Sequence, residues 1–489
     1  MAWVCVSILA SACSGSRGSR DGAADGSIDA IANDAAANDA AANDGSVGDV
    51  SRDAMIVDGA SDGSRDVTNT TDANDGATST DAGCHLAVTP VDSMQSQRDA
   101  CMFVTGDRVA STIADDATIR AARSAIRTVF VFVQENHSFD NYFGRTAGVE
   151  GFPDTYSNTD SGGAVIAAHH LASPCPCDPG HSRGSMVTAW DMGAMDGFAR
   201  ANTTTYQSNA ALGYYTDADH PFYTWLLTTF ATSDHFFSSV LDATGPNRRV
   251  LWDGTNRDVW SSSPSPSTFP PRPSIFASLD DAHVRWGDFA NGTNTLEGVY
   301  GQLLGRVPNV YQYSDFVSQA TPDDPSMLPS VIFIDAGSDE HPTANIHNGE
   351  HFIHDFFTLL FAHPRIWAHS AVLFTYDEGG GFFDHMPPPA ACVPTTNSYD
   401  SGYDRLGVRV PLYVVSPYAR PHFVSHRTHS HGSVLRFLEM LFDLPALTKR
   451  DANADALLDL FDFGCPSFST PPTMVPAAAS GTCPSGCAQ

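Results

Sequence analysis

The chain has 489 residues, enough for one large α/β domain or two smaller ones. Its net charge is −30 and Lys449 is its single lysine, so nearly every cation is an arginine; that balance argues against nucleic acid or an anionic lipid surface as an electrostatic partner. Ten cysteines point to an oxidising compartment.

Residues 1–13 form a short apolar, small-residue segment ending in Leu9-Ala10-Ser11-Ala12-Cys13. It resembles a bacterial lipoprotein signal, which implies a lipid anchor on Cys13 and a place in the cell envelope. It departs from that pattern in two ways: no basic residue precedes the apolar run, and Leu9 stands four places before the cysteine. An ordinary export signal, giving a secreted protein, stays open. The segment is too short to span a bilayer. Residues 14–83 hold 14 Asp against 4 Arg and neither Glu nor Lys, a net charge of −10, with no aromatic residue. Such a stretch has almost nothing with which to bury a core and reads as a disordered, self-repelling tether.

With Cys5 removed and Cys13 lipidated, eight cysteines remain, an even number that suits up to four disulfides in pairings the sequence leaves open. In an export context Cys175-Pro176-Cys177 and Cys483 to Cys487 are better read as disulfide cysteines than as metal ligands. Residues 84–121 form a cysteine-containing lead-in, residues 122–465 the folded catalytic region, and residues 466–489 a Cys/Pro-rich tail.

The run at 128–133 is β-branched and aromatic without alternation, as a strand buried on both faces should be. It stops at Gln134-Glu135-Asn136, at the carboxyl end where open α/β sheets hold ligands. Residues 330–334, 371–376 and 410–415 read as further buried strands, ending in Asp335, Asp377-Glu378 and Ser416. Residues 349–361 and 432–442 carry apolar residues at helical spacing. The pattern predicts a mainly parallel sheet sandwiched by helices, with four polar strand ends on one edge. Carboxylates gathered there need a counter-charge, and a cation is the direct one.

Several blocks resemble the bacterial phosphoesterase family of phosphatidylcholine-type, non-zinc phospholipases C and related acid phosphatases, whose fold is alkaline-phosphatase-like. They are Gln134-Glu-Asn-His-Ser-Phe-Asp-Asn-Tyr-Phe-Gly144, Met195-Asp-Gly-Phe198, Asp234 to Asn247, Asp339-Glu-His-Pro342, Tyr376 to His385, Arg409-Val-Pro411 with Ser416-Pro417, and Lys449-Arg-Asp451. All seven follow the family's order. The resemblance implies that Glu135, Asn136, Asp377 and Glu378 bind a divalent metal. Their oxygens favour Ca²⁺, Mg²⁺ or Mn²⁺ over Zn²⁺. It implies Thr244 as nucleophile, forming a phosphothreonine intermediate. His181, His341 and His385 would line the phosphate pocket, with His385 as proton donor to the departing alkoxide. Gly245 departs from the bulkier residue frequent in the family. His137 is given no role, and His426, His429 and His431 read as polar loop and helix-start residues.

The implied reaction is hydrolysis of a phospholipid phosphodiester. Larger phospholipases of the family carry C-terminal β domains for which the residues after Phe463 leave no room, so a broad phosphomonoesterase remains a reading. A surface-anchored protein that binds without turning over is the third, and the intact Glu135, Asn136, Thr244, Asp377 and Glu378 argue against it.

Overall fold

The organising strand is β1, Thr128–Gln134, buried at all seven positions. A run of large apolar side chains with no polar alternation has no face to offer water, so it takes the middle of the sheet. The structure, a computed structural model, describes residues 92–113, 116–256, 259–260, 272–292, 296, 299, 309–336, 340–394 and 403–484. These residues belong to a unit spanning Thr80–Gln489. The signal-like segment with Cys5 and Cys13, the acidic stretch 14–83, Cys84, Asp339 and Cys487 lie outside them.

The other sheet strands in chain order are β2 (Ala231–Ser233), β3 (Trp286–Ala290), β4 (Val310–Gln312), β5 (Val331–Asp335), β6 (Ser370–Tyr376), β7 (Leu412–Val415) and β8 (Phe423–Ser425). Across the sheet they run β8-β2-β7-β6-β1-β5-β3-β4. β6, β1, β5, β3 and β4 are mutually parallel. The fold is thus the mixed α/β arrangement with a large, mainly parallel sheet.

One strand corrects the expectation. β7 pairs antiparallel with both β6 and β2. Parallel neighbours need a crossover, usually a helix, and the described residues between β6 and β7 form turns and loops without one. The chain therefore re-enters from the edge it left. Ser416 ends at the opposite edge, where its hydroxyl donates to the Ser370 carbonyl at 2.8 Å. Arg409, just ahead of β7, comes to the ligand edge instead.

Four helices matter for the site: α1 (Phe139–Phe143), α2 (Thr244–Asp253), α3 (Ile346–Phe361) and α4 (His431–Phe442). Phe356 of α3 meets Phe130 and Phe132 edge-on at 5.4 Å, seating α3 on that face of β1. α4 packs on α2. Disulfides join Cys101 to Cys392 and Cys175 to Cys483, and Cys177 and Cys465 are disulfide-bonded as well. No helix among the described residues is long and apolar enough to cross a membrane.

Candidate active site

Strand register assembles the site before any side chain is considered. Gln134 lies opposite Tyr376, and Val133 opposite Asp335. The residues that follow β1 and β6 must therefore emerge side by side, Glu135-Asn136 next to Asp377-Glu378, with Asp335 at the end of β5. Asn136 Nδ2 donates to Glu378 Oε1 at 2.6 Å, and the Gly380 amide donates to Oε2 at 2.6 Å. Gly380 has φ +63, and a Cβ there would lie 2.3 Å from the Asn136 carbonyl oxygen. Only glycine lets these two loops approach so closely.

Into this edge α2 inserts Arg248, which is fully buried. Its Nε donates to Asp377 Oδ2 at 3.0 Å, and its terminal nitrogens lie 3.9 Å from both Glu135 and Asp335. Thr244, the first residue of α2, is one turn earlier on the same helix face. It stands at the N-terminal end of α2, the helix end that favours negative charge. His181 and His341 approach from loops, their rings 5.6 Å apart edge-on, with ligand atoms of Asp178, His181 and His341 all within 4.8 Å of one another. His181 Nε2 lies 3.9 Å from Glu378. Beneath His341, Glu340 is buried and accepts from Gln134 Nε2 at 3.0 Å, from the hydroxyls of Tyr376 and Tyr142 at 2.7 and 2.9 Å, and from Tyr223. This anchor fixes the segment that presents His341.

The site carries excess negative charge. Glu135, Asp335, Asp377 and Glu378 face two cations, Arg248 and His181. Burial, then the Asp377 charge, pushes Glu135 up to about 8 despite Arg248. Burial raises Glu378 to about 7, with His181 pulling down and Asp377 adding to the rise. Asp377 is raised by burial and held back by Arg248. Burial opposes charge on His181, yet Glu378 and Asp178 keep its proton on to about 10. Carboxylates outnumber the cations at this edge, and burying them is costly unless a further cation offsets them. Asp377 Oδ1 and Asn136 Oδ1 are buried without a hydrogen-bond partner, an expensive condition unless something else takes them up. Hard oxygen donors with two orphaned oxygens fit a divalent cation.

Six of the eight expected residues therefore gather at one edge, Glu135, Asn136, Asp377, Glu378, His181 and His341, and Thr244 begins the helix that brings Arg248 to it. His385 does not join them through any contact among the described residues. Its Nδ1 pairs with Asp140 Oδ2 at 2.6 Å, and Arg409 bonds Asp140 and Asp384 at 2.7 and 2.9 Å. Ser138 donates to the Phe383 carbonyl at 2.6 Å. This network, which includes His385, clamps the loop after β1 to the loop after β6. Arg248 and Asp178 are site residues that motif reading left unassigned. The helical phase counted from Thr244 was the available signal for Arg248; Asp178 carried none. His429 and His431 are buried; His431 Nε2 bonds the Tyr376 carbonyl at 2.9 Å.

Among solved structures the chain is similar to the lipoteichoic acid synthase LtaP from Listeria monocytogenes, at 9% identity and TM-score 0.39, over 75% of this chain and 81% of that one. A protein of the alkaline phosphatase superfamily from Vibrio parahaemolyticus follows at 9% and TM-score 0.30, over 70% and 77%. Among curated sequences, Phospholipase C B of Mycobacterium tuberculosis is 29% identical over 419 residues, covering 71% of this chain and 80% of that protein. Non-specific phospholipase C1 of Arabidopsis thaliana is 29% identical over 374 residues, covering 67% and 69%. The model of the Phosphoesterase family matches residues 126–445, a span that contains β1, both ligand loops, α2 and α4. The chain belongs to the Phosphoesterase family and is a hydrolase of phosphoester bonds.

Proposed function

We propose that this chain is a metal-dependent phospholipase C-type hydrolase with Thr244 as its nucleophile, releasing phosphorylated headgroups from phospholipids. The observation that carries the reading is the contact of Arg248, on the helix that begins at Thr244, with the carboxylates of the two strand-end loops. Relatives named phospholipase C support the diester side. Glu135, Asn136, Asp377 and Glu378 would hold the ion, with Ca²⁺, Mg²⁺ or Mn²⁺ suited to their oxygens better than Zn²⁺. When bound, the ion lowers the pKa of the nearby hydroxyl and offsets charge on a phosphoryl oxygen.

The chain's own residues do the rest. Thr244 Oγ1 forms a bond to phosphorus as the bond to the leaving oxygen breaks, giving a phosphothreonine and an alcohol. Arg248, His181 and the α2 N-terminus face the charge that develops on the equatorial oxygens. His181, 3.9 Å from Glu378, would offer a proton to the departing oxygen, and His385 would hold the loops. Water then opens the phosphothreonine from the vacated side. The oxidised cysteines support an exported enzyme, and the anchor at Cys13 belongs to the same reading.

The test is turnover by the wild type and Thr244→Ala on phosphatidylcholine, its phosphorylated headgroup and a generic phosphomonoester, each with and without chelator. Thr244→Ala should lose turnover while keeping its unfolding midpoint, and Asp377→Asn should lose metal content and rate together. Ordinary activity in Thr244→Ala would remove the nucleophile assignment. Turnover of the monoester alone would make the enzyme a phosphatase.

A further inference from the structure

A second group of metal-ligand side chains lies where β8, the short strand His429–Ser430 and the turn Leu458–Leu460 meet. His429 is buried there between two aspartates. Its Nδ1 is 3.3 Å from Asp455 Oδ1, and its Nε2 is 3.4 Å from Asp459 Oδ1. The far oxygens are held from behind. Arg98 reaches Asp455 Oδ2 at 3.5 Å, Ser425 donates to Asp459 Oδ2, and Arg427 lies 4.0 Å from the same oxygen.

The near separations are the informative ones. An imidazolium clasped by carboxylates closes to about 2.7–2.9 Å. Contacts of this kind in this protein include 2.6 Å between His385 and Asp140 and 3.4 Å between His181 and Asp178, and those at His429 lie near the longer value. At His429 both gaps stay open, and His429 Nδ1 and Asp459 Oδ1 are buried without any hydrogen-bond partner. Nε2 also meets the Ser425 hydroxyl at 3.2 Å, which leaves Nδ1 as the nitrogen free for an ion; a buried nitrogen and a buried carboxylate oxygen without partners are costly.

We propose that His429, Asp455 and Asp459 form a second, structural metal site that takes a divalent transition ion of the zinc or manganese class. One nitrogen and one oxygen from each carboxylate lie within 4.8 Å of one another. Metal–ligand distances of about 2.0–2.2 Å bring such atoms together with small side-chain movements. An imidazole in the set selects against Ca²⁺ and Mg²⁺. A cavity of about 400 Å³, lined by His429, Asn453 and Asp455 together with Arg98, Arg427 and Arg450, offers room for water ligands. Arg98, Ser425 and Arg427 act as the outer partners that orient the carboxylates. The ion would pin the 455–459 turn to β8 and to the start of α4. This site is independent of how the strand-end site is read.

The test counts Zn²⁺ and Mn²⁺ bound by the full chain, by calorimetry and by metal analysis after dialysis, in wild type, Asp377→Asn, His429→Asn and Asp459→Asn. Asp377→Asn should still bind one equivalent, and that equivalent should raise its melting temperature. His429→Asn and Asp459→Asn should each bind one equivalent fewer than wild type, or bind it at least about 100-fold more weakly, the upper end for losing even an outer partner. If Asp377→Asn binds none, or if the His429 and Asp459 variants match wild type, the site does not exist and His429 is an imidazolium between two carboxylates. Should His429→Asn fail to fold, Asp459→Asn and Asp377→Asn decide the question.

Discussion

Arg248 is a side chain on which several charges depend at once, because Asp377, Asp335 and Glu135 all lie within 3.9 Å of its nitrogens. A planar guanidinium spans three carboxylates; an ammonium on a flexible stem meets one or two. Arg248→Lys should therefore fold but lose turnover by about 10²-fold, within the range for removing one oriented donor. Arg248→Met leaves buried carboxylates uncompensated and should cost about 3–5 kcal/mol, read as a lower urea midpoint. A Met variant with the wild-type midpoint would show that the cradle is neutralised without this residue. The sequence around it reads Pro246-Asn247-Arg248-Arg249, and both arginines are buried. Only helical phase from Thr244 separates the one that faces the site from its neighbour, which is why motif reading passed over it.

At the level of elements, the buried strands and the helices α3 and α4 were legible because an unbroken apolar run and a 3.6-residue period each have one good structural solution. Their ends matched to within about three residues. The direction of β7 was not legible, since Leu412–Val415 is equally apolar whichever way it runs and what decides is the missing crossover. The polar ends of β1 and β6 were legible from where their apolar runs stop; the clamp between the loops that follow was not, because Asp140, His385 and Arg409 come from three separate segments. His220 shows a related coupling, caught between α1 and the helix Pro221–Thr229. Its Nε2 bonds the Tyr142 carbonyl at 3.0 Å, and its Nδ1 meets Thr224 Oγ1 at 3.2 Å. One donor and one acceptor suit the neutral ring, and burial lowers the pKa below its ordinary 6.5. The folded state binds this proton less readily than the unfolded state. Its contribution is complete above pH 6.5 and declines as pH falls towards the folded pKa. His220→Gln should accordingly flatten the fall in urea midpoint below pH 6.5, by up to about 1.4 kcal/mol per pH unit. Parallel curves for variant and wild type would assign that limb to other groups.

Across the whole molecule, the disulfides connect segments that local structure leaves apart. Cys175 and Cys483 are separated by 308 residues, and Cys101 and Cys392 by 291. The tail held by Cys483 lies along α3: the Ala478 amide donates to Glu350 at 2.8 Å, and the Gly481 amide to Asn348 at 3.2 Å. The Ile346 amide at the start of α3 donates to the Pro174 carbonyl at 3.0 Å, next to Cys175. Helix, tail and the strip leading to Asp178 and His181 thus form one tied unit, with Cys177 bonded as well. Opening the Cys175–Cys483 link with Cys483→Ser should cost about 2–5 kcal/mol, as for other long loops. Because the strip ends at His181, the loss should also reach the chemistry. Turnover should fall at temperatures where the variant is still folded, whereas a purely global staple would lower the unfolding midpoint and leave turnover in the folded range untouched. Following both quantities across a thermal ramp separates the two, and an unchanged rate below the transition would mean that His181 is held by Glu378 and Asp178 alone.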